Sequence, residues 1–381
     1  MKRIVLMVLL VLCTLWGLQL NTFAGVDSAF DMEEQLDALG REELMEQVPE
    51  DARELMEEAN LYDLSVSSLL QLTPKDFFCT VWRMLLQEVR KPVRTMGVIL
   101  AVVVLCAMLG GLHTAVGENT LSPMFTTVAV LCILTSVVIP ILDCIINTSA
   151  AVKNAALFML SFIPIFSAAI TAAGQPVTGA AYNMFLFTTC QVVSQVVSQT
   201  LIPLLGIYLA LCVVGALVPE IKIASATATI KTIVSWALGF MVTIFVGLLS
   251  IQTMVSQGAD TVTTKTVKFL VGSFVPVVGG ALSEALVAAQ GCLRLIKTSV
   301  GAYGILVAVF TFLPILLQTV IWYLVTMVAS IAGDILGVDK VSTVMKSCSS
   351  VLGILLSVIL CFGLLIIVST TVVMVTGMGG G

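Results

Sequence analysis

Charge is what this sequence has least of. Only 11% of its 381 residues are Asp, Glu, Lys or Arg, and 59% are hydrophobic; a soluble domain carries about 25% charged residues. Too little polar surface remains to cover a water-facing globule, which argues against a soluble enzyme. Histidine occurs once, at His113, which removes most metal sites and any histidine-based triad. The motifs of common chemistries are missing too. There is no Walker-type G-x-x-x-x-G-K-[ST], dinucleotide G-x-G-x-x-G, H-E-x-x-H or nucleophile elbow. The ten cysteines fall singly, none in a C-x-x-C pair, and read as small packing hydrophobes rather than a disulfide framework. No enzymatic activity, cofactor or metal is expected, and neither half of the chain has the basic pattern of a nucleic-acid binder.

The charge that is present sits mostly near the start. Residues 25–60 hold 13 of the 23 acidic side chains and only two basic ones, Arg41 and Arg53. Ahead of them, Lys2 and Arg3 precede an apolar run from Ile4 to Leu20, and Thr22-Phe23-Ala24 offers a small-x-Ala cut. That layout predicts a signal peptide over 1–24, with an uncleaved first span as the alternative. Residues 25–95 read as an acidic, helical, extracytoplasmic segment. Its last helix starts at Thr73-Pro74-Lys75-Asp76, with a cap, a first-turn proline and an acid. Phe77, Phe78, Val81, Leu85 and Val89 line one face of that helix, which is expected either to lie on the membrane surface or to pack on the headpiece. Five Lys and Arg residues between 75 and 94 would place it in the cytoplasm by the positive-inside bias. The signal peptide places it outside, and that is the expectation adopted.

Residues 96–376 form the membrane domain, before a flexible glycine tail at 377–381. Crossing hydrocarbon takes about 20 apolar residues in a helix. Such runs occur near 97–116, 125–146, 155–173, 201–218, 232–251, 269–289, 303–331 and 351–376, with a more polar helical stretch at 182–200. The fold class predicted is therefore all-α, a polytopic transmembrane helix bundle of about eight spans. Pro164, Pro203, Pro276 and Pro314 are candidate kinks within the runs. Ser161-Phe162-Ile163-Pro164 recurs as Ser273-Phe274-Val275-Pro276, and Leu201-Ile202-Pro203-Leu204-Leu205 as Phe312-Leu313-Pro314-Ile315-Leu316. Those offsets suggest an internal duplication, about 155–255 and 269–376.

Polar groups inside the runs are the candidate functional residues. Gln191, Gln195 and Gln199 recur at i, i+4 and i+8 and so share one helical face. In hydrocarbon their amides need partners: another helix, another subunit or water in a pore. Glu284 follows the Pro276 kink and Asp143 falls near the end of its span, where interfacial placement explains it as well as function does; a charge at membrane depth costs at least roughly 2.5 kcal/mol. Lys153, Lys268, Arg294 and Lys297 are their possible counter-ions.

One family fits the longer apolar motifs. The run from Lys268 through Gly272-Ser273-Phe274-Val275-Pro276 to Glu284-Ala285, with Ile296-Lys297-Thr298-Ser299-Val300-Gly301 and Ile202-Pro203-Leu204-Leu205-Gly206-Ile207-Tyr208-Leu209, resembles the stage III sporulation protein AE family. The resemblance implies a membrane subunit of a channel- or secretion-like complex, in the mother-cell membrane around the forespore. Partners would be the other membrane proteins of the stage III sporulation complex, the lipid bilayer and, in a homo-oligomer, further copies of the chain. A stand-alone secondary transporter for a small solute is the competing reading, and an intramembrane enzyme a third.

Overall fold

The computed structural model describes residue 37 and residues 40–58, 74–116, 122–217, 224–274 and 279–375. No β-strand occurs among them. Two short helices, α1 (Arg41–Glu46) and α2 (Glu50–Glu58), precede the long ones. These are α3 (Pro74–Val116), α4 (Ser122–Ala172), α5 (Pro176–Val196), α6 (Ile202–Leu217), α7 (Ala224–Phe274), α8 (Gly279–Ile335) and α9 (Asp339–Val375). A π-helical turn, Val197–Leu201, joins α5 to α6. The proposed signal peptide and the glycine tail lie outside the described residues.

Six helical stretches among the described residues are long and apolar enough to cross a membrane, rather than the eight read from hydropathy. The difference comes from fusion. The runs 125–146 and 155–173 lie on one unbroken α4, because Asp143, Asn147, Lys153 and Asn154 lower the hydropathy between them without breaking the helix. The polar stretch 182–200 joins 201–218 through the π turn in the same way. The run 269–289 is divided among the end of α7, residues outside the description and the start of α8. The boundary placed at residues 95–96 falls within α3, so the amphipathic stretch and the first span are one helix.

Among the described residues, glycine ends two of the long helices. Gly174 (φ 86°) follows α4 and Gly337 (φ 69°) follows α8, both in the left-handed region. The Gln175 N–H returns to the Ile170 carbonyl, and the Val338 N–H to the Gly333 carbonyl. Each is the six-to-one bond of a glycine-terminated helix. The second turn is further closed by Asp334, which pairs with Lys346 at 2.8 Å and accepts the Ser342 hydroxyl.

Helix α8 packs most extensively on α9 and also touches α3, α4 and α7. A ladder of rings on α4, Phe158, Phe162 and Phe166, stacks at 5.3–5.6 Å spacings. Gly301 and Gly304 of α8 give the Phe166 and Phe162 rings their space. The Tyr182 hydroxyl on α5 meets Thr370 Oγ1 on α9 at 3.3 Å. These contacts put the α4–α5 turn beside the Gly301 stretch of α8 and the end of α9, with the Gly337 turn at the far end. The proposed duplication is not confirmed: 112 residues beyond the Gly174 turn, residue 286 lies inside α8.

The headpiece is docked rather than free. Leu44, Val48, Ala52 and Met56 are buried, with α1 against α4 and α2 against α8. Gly40, ahead of α1, lies against Ile165 near the end of α4. The Arg83–Glu58 ion pair at 3.7 Å is solvent-exposed and adds little. With the exposed Cys79 and Cys132 replaced by serine, cysteines introduced at Glu54 and Ala172 should react with an impermeant thiol reagent from the same side of the membrane. Labelling from opposite sides would refute this docking.

Candidate functional site

Helix α5 starts in an unusual way. Gln175 stands at its cap position without a side-chain cap, and Pro176 supplies no N–H. The next two backbone donors, Val177 and Thr178, reach Asp260 Oδ1 and Oδ2 at 2.9 and 2.8 Å. The Gly179 N–H returns to the Gln175 carbonyl. Every donor of the first turn is therefore met, two of them by a carboxylate from α7. A carboxylate at this position also faces the positive end of the helix dipole.

Asp260 is 4% exposed and Lys297, on α8, 3%. Lys297 Nζ donates to Gln175 Oε1 at 2.8 Å. The α4–α5 turn is thus held by an acid from one neighbouring helix and a base from the next. Gln252 and Ser256 precede Asp260 at four-residue steps; Ser256 is buried, and Gln252 Oε1 and the nearby Arg294 Nε are buried without hydrogen-bond partners. Packing is close here. A Cβ on Gly179 would meet Thr171 Oγ1 at 2.5 Å and the Ser167 carbonyl at 2.8 Å, while Ser167 Oγ donates to the Gly179 carbonyl.

This node was missed in the sequence, apart from Lys297 and Arg294 as possible counter-ions. Its signal was the i, i+4, i+8 spacing of Gln252, Ser256 and Asp260. Those residues follow the apolar run 232–251, however, and read as lying past the end of a span.

The glutamine row takes the opposite orientation. Gln191 and Gln195 on α5 and Gln199 in the π turn are all exposed, whereas Cys190, Val193, Ser194 and Val197 turn inward. Exposure continues along one line, from Met184 and Thr188 before the row to Pro203, Ile207, Ala210 and Val214 after it. From Gln191 to Ile207 the steps are all four residues. Each overshoots a 3.6-residue turn by about 40°, so four steps would drift about 160° round a regular helix. The π turn adds a residue to one turn and takes back roughly 100° of that drift. The insertion therefore keeps the amides and the residues of α6 on one face.

The other sequence candidates are not gathered with these. Asp143 is exposed on α4, one turn before Asn147, whose Nδ2 donates to Gln318 Oε1 on α8 at 3.4 Å. Glu284 belongs to α8, but its side chain lies outside the description, as does Pro276. Pro164 and Pro314 lie inside helices that continue through them, and Pro203 is in the first turn after the π segment. Among the described residues, no three His, Cys, Asp or Glu side chains are grouped to hold a metal.

A family model, stage III sporulation protein AE, matches residues 59–377, most of the chain. The chain belongs to that family. It is similar to the stage III sporulation protein AE of Bacillus subtilis (strain 168), with 22% identity over 237 residues. That alignment covers 62% of this chain and 59% of the relative, so it spans about three fifths of each. No solved structure matches. All the elements just described from α3 to α9, including the amide row and the Asp260 node, fall within the family match.

Proposed function

We propose that this chain is a membrane subunit of a channel- or secretion-like complex built during endospore formation. It would sit in the mother-cell membrane that surrounds the forespore, with the headpiece on the extracytoplasmic side. Family membership supports the sporulation setting, and six membrane-length helices support the multi-pass body. The observation that carries the assembly role is the outward amide row. Three primary amides facing hydrocarbon would each lack hydrogen-bond partners, so a subunit carrying them is built to be covered. No residue is proposed as catalytic.

Affinity purification from sporulating cells tests this reading. The expected result is recovery with other sporulation membrane proteins as a detergent-stable complex. Recovery of the chain alone would contradict it. The buried Asp260 and Lys297 favour a second reading, a stand-alone secondary transporter, since ionisable groups inside membrane bundles often mark ion pathways. That reading requires solute uptake by the purified chain in vesicles, lost in Asp260→Asn.

A further inference from the structure

We propose that the outward stripe of α5 and α6 is a homotypic interface, at which the chain meets a second copy of itself within the membrane. The inference rests on the assembly role proposed above and names the occupant of the same amide row; affinity recovery tests that role, and the crosslink described below tests the occupant.

Position along the helix sets the row well away from one end of the bundle. At 1.5 Å per residue, Gln191 lies about 22 Å along α5 from Pro176, and the row continues away from that end. Gln195 lies farther in by another turn. Lipid headgroups at the α4–α5 end of the bundle are therefore out of reach of the row.

Hydrogen-bond chemistry selects the occupant. No Asp, Glu, Lys or Arg occurs between Lys153 and Glu220, so this hairpin offers no charge for a charged partner to match. A primary amide both donates and accepts. An identical row therefore meets every need of the first, and no other chemistry is required. With a two-fold axis along the membrane normal, the same patch serves both copies and each row lies beside its equivalent.

Shape agrees with chemistry. Beyond the row, Ala210 is exposed and a Cβ on Gly206 would meet nothing within 4 Å. The internal packing of the chain thus makes no demand for glycine at 206. Small residues next to polar ones let two membrane helices approach closely enough for their side chains to bond. The π turn, by holding the amides and the small residues on one line, makes the stripe long enough to act as a single surface. Elsewhere the outer face has a different character. On α7, Trp236 stacks on Phe240 at 5.1 Å, both exposed beside Ile244 and Ile251, which is a surface suited to lipid tails.

The test uses the full chain in its membrane, co-expressed with two different tags. A photo-crosslinking residue replaces Thr188, which is exposed beside the amide row, and in a second variant replaces Trp236. Irradiation should give an adduct carrying both tags, at twice the 40.4 kDa chain mass, from position 188 and not from 236. Substituting Gln191→Leu, Gln195→Leu and Gln199→Leu together should reduce recovery of the second tag by about tenfold. If that triple variant fails to accumulate, the crosslink in the chain with its amides intact decides alone. Capture of a different protein at 188, of lipid only or of nothing would overturn the proposal, as would a folded triple variant that retains the second tag.

Discussion

Replacing Asp260 with leucine should destabilise the detergent-solubilised chain by about 2–6 kcal/mol, at about 1–3 kcal/mol for each of two backbone donors left unmet. Two backbone donors of α5, Val177 and Thr178, lose their only acceptor in this arrangement, and leucine offers neither oxygen nor charge. Lys297, buried nearby and hydrogen-bonded to Gln175, also loses the attraction of the Asp260 charge. Asp260→Asn keeps one acceptor oxygen and should give a smaller loss. Adding Lys297→Met to the leucine variant should recover part of the stability, because it removes a buried cation that Asp260 no longer attracts. Thermal unfolding in one detergent checks all three. A leucine variant that unfolds with the wild type would show that the node does not hold the α4–α5 turn.

The second large effect is steric. A Cβ on Gly304 would overlap the Phe162 ring, so Gly304→Ala forces apart α4 and α8 at the centre of the bundle. Overpacking of this kind costs about 1–3 kcal/mol. Phe162→Leu, by shrinking the ring's side of the contact, should restore part of that loss when combined with Gly304→Ala. Gly206→Ala provides the control: with nothing within 4 Å of the added carbon, folding should be unaffected. Equal melting of the Gly304 and Gly206 variants would contradict the packing described.

The helical, multi-pass character was legible from composition alone, because a chain with 11% charge has few other ways to bury its surface. The turns at Ala173-Gly174-Gln175-Pro176 and Leu336-Gly337-Val338-Asp339 carry a local glycine signal that the hydropathy reading did not use. Span number was less legible. A hydropathy run ends wherever polar residues appear, but a helix ends only where its backbone is turned, so Asp143 to Asn154 divided one helix into two runs. The glutamine row could be read from spacing, and its placement on one face is as expected. Its outward direction could not be read, since that depends on which face α4 and α7 cover. The Asp260 node was hidden for a related reason. It joins residues 82 and 83 positions apart, and only tertiary packing brings them together.

All of this assumes that α3 to α9 lie in lipid, and extraction of membranes from cells making the full chain tests that most directly. Washing at high pH without detergent should leave the protein in the membrane pellet, with release only once detergent is added. Release into the detergent-free supernatant as a monodisperse species would contradict the account.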